Sequence, residues 1–381
     1  MKSFKEFIKE DNDDGFIYYL NEGGNAVING YTATYIDLEK FNRKEVSDDV
    51  YEAIHKINDA FKKETGIPLW SDKLLKKRTF MSGSSLTFFD VSIADDEYSK
   101  YKKKVGDIDL QVDHLMADKI RAFLRKSEGK KFGKSVLVGV KSALADTDIS
   151  IFRFDKYDLN IQLDFEYVPY GVDGFPTEWS MFSRSSAWAD MKKGIKGVAH
   201  KLLMRAMTYP KSETFIKAKN TPRGKDKQMT DHLFAFSVAK GLRAKYQPVL
   251  DEKGKQLYQN GLPVYKALST KESDYKMSLD TIFQMYFGTE PKGNDRELLK
   301  SFTGLIELAK KYYSPGQHDK VIDGFANNLW NSRSGAQGLY RGDPKRDHAE
   351  KHVMFNHLLA ELGGSIKPYQ SMIDTFYKNY K

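Results

Sequence analysis

The acidic residues at 107, 109 and 164 are the ones whose spacing can do chemistry. Asp107 and Asp109 stand in VGDIDLQVD, residues 105–113, where Asp107, Asp109, Gln111 and Asp113 alternate with Ile108, Leu110 and Val112. That alternation is the period of a half-buried strand, so the two aspartates share one face. Strands disfavour aspartate, and two like charges this close repel each other unless a cation or hydrogen bonds hold them. Magnesium takes oxygen ligands, keeps several waters and binds to a few carboxylates plus substrate phosphates. Two-metal phosphoryl transfer also calls for a third carboxylate nearby. The stretch LNIQLDFEYV, residues 159–168, offers one: Asp164 lies between Leu163 and Phe165, with Gln162 and Glu166 in phase with it. Asp107, Asp109 and Asp164 are therefore the expected ligands of Mg²⁺ or Mn²⁺ and the expected catalytic residues.

Phosphate binding needs donors. Upstream lies FMSGSSLTFF, residues 80–89, where a glycine followed by serines at the start of a helix presents backbone N–H groups and hydroxyls to an anion. Gly83, Ser84 and Ser85 are the nucleotide-binding candidates.

In this order, Gly83-Ser84, then Asp107-x-Asp109, then Asp164 resembles the signature of the DNA polymerase beta-like nucleotidyltransferase superfamily. That signature is a hydrophobic-Gly-[Gly/Ser] turn, an Asp-hydrophobic-[Asp/Glu] strand and a later acidic strand residue. The resemblance covers residues 80–170. It implies a mixed sheet with helices on one face and metal-dependent transfer of a nucleoside monophosphate from an NTP, with release of pyrophosphate. By the same resemblance the paired aspartates bind the nucleotide metal and the catalytic metal, Asp164 completes the catalytic site and assists the acceptor hydroxyl, and Gly83, Ser84 and Ser85 meet the β- and γ-phosphates. The chain departs from the pattern in one respect: 22 residues separate Ser84 from Asp107, a longer gap than the family's. The excess, residues 90–104, reads as a polar insertion ending in a basic cluster. Beyond the sheet, FSRSSAWADMKKGIKGVAHK (182–201) offers Ser185 and Ser186 as caps and Lys192, Lys193 and Lys196 in the first turns of a helix. The resemblance makes Lys196 a further nucleotide-binding candidate.

The elements that must position these residues follow from periodicity. Val50, Ile54, Ile57 and Phe61 predict a helix over 47–65. Strands are expected at 106–113, 135–142, 148–154 and 158–168, with a helix over 114–127 between the first two. A long helix is expected over 186–208, a polar loop over 216–229 and a β-meander over 232–269. The remainder is expected to be mostly helical, near 296–313, 317–330, 345–362 and 367–379. The expected fold is α+β: a nucleotidyltransferase mixed sheet with helices on one face, plus a mainly helical C-terminal region. The expected divisions are 1–15 as a leader or N-terminal helix, 16–212 as the catalytic domain with an N-terminal extension, and 213–381 as β-meander plus helices.

The chain of 381 residues has 40% hydrophobic and 13% aromatic residues, enough to bury a core. Cysteine is absent, which excludes disulfides, thiolate metal sites and a cysteine nucleophile. No apolar run of about 18 residues predicts a membrane span. The net charge of +9 favours polyanionic partners. A nucleic-acid acceptor, an RNA or tRNA 3′ end, is therefore expected, with a protein acceptor equally compatible with three aspartates.

MKSFKEFIKE at the N-terminus resembles the leader of T4-like phage head-packaged proteins, which implies cleavage after Glu10 and carriage in a phage head into the host cytoplasm. Alternatives remain. The aspartates could be a surface pair, or a glycosyltransferase D-x-D, which requires more parallel strands upstream than the first 80 residues show. The protein could also be a non-catalytic virion or nucleic-acid-binding protein retaining the fold. His348 and His352 are four apart, a spacing that can share a metal, but no third ligand is in view.

Overall fold

A computed structural model describes residues 26–374 apart from 145, 185, 186, 194, 196, 220–225, 270, 332–356, 366, 372 and 373. The expectations for the N-terminal leader, Gly23 and Gly24, Ser185, Ser186, Lys196, His348 and His352 lie outside the described residues, as does most of the expected helix over 345–362.

The chain divides into two compact units, one spanning Asn21–Gly197 and one taking in the chain from Val198 onward. The first holds β1 (Val27–Ile28), β2 (Tyr31–Thr32) and β3 (Ile36–Asp37), then α1 (Arg43–Thr65), α2 (Asp72–Lys77), α3 (Ser85–Phe88) and α4 (Asp95–Tyr101). It continues through β4 (Lys104–Val105), β5 (Asp107–Asp113), α5 (Ala117–Lys126), β6 (Lys131–Phe132), β7 (Ser135–Leu144), β8 (Thr147–Phe154), β9 (Leu159–Val168), α6 (Glu178–Ser183) and α7 (Trp188–Lys192). The fold is α+β, as the sequence predicts.

The main sheet has the order β5-β9-β8-β7-β6. β5 and β9 run parallel and the other neighbours antiparallel. A parallel pair needs a long crossover, which α5 and the β6–β8 antiparallel run supply. On one face Ile108, Leu110, Val112, Ile161, Leu163 and Phe165 enter a single core with Val46, Val50, Ile54, Ile57 and Phe61 of α1. α1 forms where its apolar stripe recurs every three to four residues. Asn42 caps its start by accepting from the Glu45 N–H at 3.0 Å, and Gly66 at φ 81° ends it. On the opposite face the β1–β2 hairpin covers β7 and β8, with Ile28 beside Gly139 and Ile151.

In the second unit, α8 (Gly197–Ala206) is followed by β10 (Ser212–Lys217), β11 (Lys227–His232), β12 (Phe234–Ser237), β13 (Gly241–Ala244), β14 (Tyr246–Pro248), β15 (Tyr258–Gln259) and β16 (Leu262–Ala267). Then come α9 (Leu279–Phe287), α10 (Asp295–Leu298), α11 (Phe302–Tyr312) and α12 (Pro315–Asn331). The sheet order β11-β10-β16-β14, with β10 and β16 parallel, makes this more than a meander. Of the loop expected over 216–229, residues 216–217 end β10 and residues 227–229 begin β11, which pairs with it.

The long helix expected over 186–208 is two helices. α7 ends where the Lys193 N–H turns back to the Asp190 carbonyl, in a stretch that carries Gly194 and Gly197, poor residues for a helix interior. α8 buries Leu202, Leu203 and Met204, receives the Tyr286 hydroxyl on its Met204 carbonyl at 2.8 Å and holds Leu299's carbonyl through His200 at 3.0 Å. Its burial belongs to the second unit, so the division falls at Gly197/Val198, ahead of the expected 212/213. Among the described residues no helix is long and apolar enough to cross a membrane.

Candidate metal centre

Register brings the three aspartates together. In the β5–β9 ladder Asp107 lies opposite Gln162, Asp109 opposite Asp164 and Gln111 opposite Glu166. These residues share the face away from the main core, because strand neighbours alternate sides. One carboxylate oxygen from each of Asp107, Asp109 and Asp164 lies within 4.8 Å of the other two.

β5 is the sheet's edge, and the glycine turn closes it. Residues 80–82 run antiparallel to β5: the Gln111 N–H donates to the Phe80 carbonyl at 2.6 Å, and the Ser82 N–H to the Asp109 carbonyl at 3.2 Å. The chain then turns at Gly83 with φ +57°. A Cβ at that position would overlap Asp109 Oδ2 and come within 3.4 Å of its Cγ. Glycine is thus required twice, for the left-handed backbone and for the close approach of the carboxylate. The insertion over 90–104 leaves this juxtaposition intact. It forms α4, and Arg43 anchors it, donating to Asp95 at 2.7 Å and to the carbonyls of Thr87, Phe88, Asp90 and Ile93.

The three nucleotide-binding candidates of the turn separate in role. The Gly83 N–H donates to the Arg184 carbonyl at 2.6 Å. Ser85 is buried, and its hydroxyl accepts from the Asp109 N–H at 2.8 Å, so it braces the aspartate strand instead of facing solvent. Ser84 is partly exposed, and among the described residues neither its N–H nor its hydroxyl has a partner. The Gly83 N–H and the Ser85 hydroxyl are thus engaged within the fold, whereas the N–H and hydroxyl of Ser84, among the described residues, are not.

Burial pushes the Asp164 carboxyl well above the usual carboxylate range, and the charge of Asp107 pushes it further. The Gln162 amide opposes this, donating to both Asp164 oxygens at 2.9 and 3.1 Å. Two residues along β9 the situation reverses. Glu166 is buried but meets the Arg184 guanidinium at 2.7 Å and accepts from the Ser82 hydroxyl at 2.7 Å. Gln111 completes that end by donating to the Ser180 carbonyl of α6 at 2.9 Å. The Ser82–Glu166–Arg184 connection, which ties the glycine turn to β9, was missed from sequence. Its only signal there is Glu166 in phase with Asp164.

An all-carboxylate donor set is what a hard divalent cation takes. The like-charge crowding at Asp164 and the glycine cradle against Asp109 fit such an ion. Comparison with family models, curated proteins and solved structures finds no match to this chain.

Proposed function

We propose that the protein is a nucleotidyltransferase that moves a nucleoside monophosphate from an NTP to an acceptor hydroxyl, with Mg²⁺ or Mn²⁺ held by Asp107, Asp109 and Asp164. The observation that carries this reading is the convergence of three carboxylates from two parallel strands beside a left-handed glycine turn. A bound divalent cation there supplies charge neutralisation for the phosphates and activation of the attacking oxygen.

The chain's own groups do the rest. Asp107 and Asp109 are fixed by strand register and by the Ser85 and Ser82 bonds to the Asp109 backbone. Gln162 orients Asp164, a carboxylate oxygen of which lies beside the other two aspartates to assist the acceptor hydroxyl. Ser84 offers an N–H and a hydroxyl to a phosphate. The net charge of +9 supports a nucleic-acid acceptor, an RNA or tRNA 3′ end, over a protein.

The test is transfer of label from each α-labelled NTP, with Mg²⁺ or Mn²⁺, to RNA, DNA or protein. Transfer by the wild type that falls about a hundredfold or more in Asp107→Asn/Asp109→Asn is the expected result. A folded wild type that transfers nothing from any NTP would sink the reading and favour a nucleic-acid-binding role without chemistry.

A further inference from the structure

We infer that the insertion over 90–104, together with α7, forms a stacking platform for single-stranded nucleic acid that leads into the carboxylate site. The inference rests on the transferase reading for the strand's role as acceptor. The platform's parts are aromatic. Tyr98 is fully buried and stacks flat on Trp188, with centroids 5.5 Å apart and planes 2° apart. Tyr101, one turn on, meets the Trp188 ring edge-on at 5.7 Å and 88°. Tyr98 thus fixes the indole from below. Trp188 is half-buried, and Tyr101 leaves 47% of its surface in solvent, so an aromatic surface reaches water from a rigid base.

Two exposed lysines, Lys104 and Lys192, lie on the segments that carry it. Lys192 of α7 lies 6.0 Å from the Trp188 centroid and is exposed. The charge of α4 is divided along its length: Asp95, Asp96 and Glu97 fill the first turn, where Asp95 is taken up by Arg43, and Lys100 lies in the last, paired with Asp96 at 3.9 Å. The chain then runs through Lys102, Lys103 and Lys104 and reaches Asp107 three residues later. Lys103 is held by Glu39 at 2.6 Å, while Lys104 is exposed. Aromatic faces with lysines along one path are how proteins hold unpaired bases and the phosphates between them, and stacking is tolerant of sequence. A duplex keeps its base faces covered, so Tyr101 selects single strands. The insertion that lengthens the gap between Ser84 and Asp107 is on this reading the acceptor-binding element.

The experiment measures binding of the full chain to a labelled single-stranded oligoribonucleotide, to its duplex and to an abasic strand of equal length, across a salt series. The expected result is that Tyr101→Ala weakens binding to the single strand on the order of tenfold, and that the abasic strand binds the wild type as weakly as the intact strand binds this variant. Lys104→Ala and Lys192→Ala each reduce the slope of log affinity against log salt by about 0.7. Strand binding quenches indole emission, and Trp188→Phe, which keeps the stack on Tyr98, removes that quench. In transfer assays Tyr101→Ala raises KM for the strand more than it changes kcat.

Equal affinity for intact and abasic strands, or an unchanged affinity in Tyr101→Ala, overturns the platform. So does preferential binding of an acidic polypeptide. Tyr101-dependent binding by a wild type that transfers no label supports the platform and overturns the transferase reading alone.

Discussion

Asp164 and Glu166 sit two residues apart on one strand and one face, and the protein treats them oppositely. Glu166 has a guanidinium and a serine hydroxyl at 2.7 Å each. Asp164 has a neutral amide and a neighbouring carboxylate, and among the described residues no basic side chain lies in ion-pair range of it. Other buried acids follow Glu166. Asp148 meets Arg121 at 3.2 Å on the sheet's other face. Burial raises Asp49, but hydrogen bonds from Lys134, Tyr157 and Lys156 outweigh it and hold the carboxyl below the usual range. Where a carboxylate serves the fold, the sequence supplies the counter-charge. At Asp164, among the described residues, it supplies a second carboxylate, an arrangement that favours a bound proton or a cation.

The largest effect comes from removing an internal counter-charge. Arg184→Met leaves Glu166 buried against methylene groups, and stability falls by about 3–5 kcal/mol, read as the midpoint and slope of urea unfolding. An Arg184→Met protein as stable as the wild type would show that Glu166 is not held by its ion pair, and the contrast would collapse. The next effect is at the glycine turn. Gly83→Ala meets both an unfavourable φ and the Asp109 carboxylate. It costs about 2 kcal/mol and abolishes metal-dependent transfer, because Asp109 must move. An alanine variant with wild-type transfer would remove the turn from the site.

Much of this contrast was legible in the chain. Period-2 alternation located β5 and β9 and put Asp107, Asp109 and Asp164 on one face, because a strand that buries Ile108, Leu110 and Val112 has no other way to lie. The parallel register that sets Asp109 opposite Asp164 was not legible, since register depends on which strands become neighbours. Nor was the use of the Ser85 hydroxyl as a brace for Asp109, a contact between residues 24 positions apart. The break between α7 and α8 was missed because helical periodicity runs on through Gly194 and Gly197, while burial of α8 was decided by Tyr286 and Leu299, far along the chain. In each case long-range packing decided what local pattern could not.

An external counter-charge has a measurable linkage. Mg²⁺ or Mn²⁺ at ten times its dissociation constant stabilises the folded protein by about 1.4 kcal/mol, a rise in melting temperature on the order of 2–4 °C per kcal/mol for a unit of this size. The rise should vanish in Asp107→Asn/Asp109→Asn and persist in Tyr101→Ala. It should also shrink as pH falls, because a proton on Asp164 competes with the cation. A metal-induced shift that survives the double substitution places the ion elsewhere.

The smallest effect is the most discriminating. Without metal, Asp164→Asn removes a charge that is disfavoured in the fold, so stability near neutral pH should rise by about 1 kcal/mol even as transfer is lost. Asp164's folded-state proton affinity lies above its unfolded value. Between those two values the folded state binds more protons, and stability falls as pH rises through that window. Asp49 has the opposite sign: its contribution is present above the unfolded carboxylate value and is lost as pH falls through its lowered folded value. Subtracting the metal-free stability–pH curve of Asp164→Asn from that of the wild type cancels Asp49 and every other group that does not interact with Asp164, and leaves the joint titration of Asp164 with Asp107. The difference should have a negative slope above the ordinary carboxylate range and go flat when saturating metal is present. A positive slope would mean that Asp164 is stabilised as an anion by the chain itself, and no external cation would then be needed to explain it.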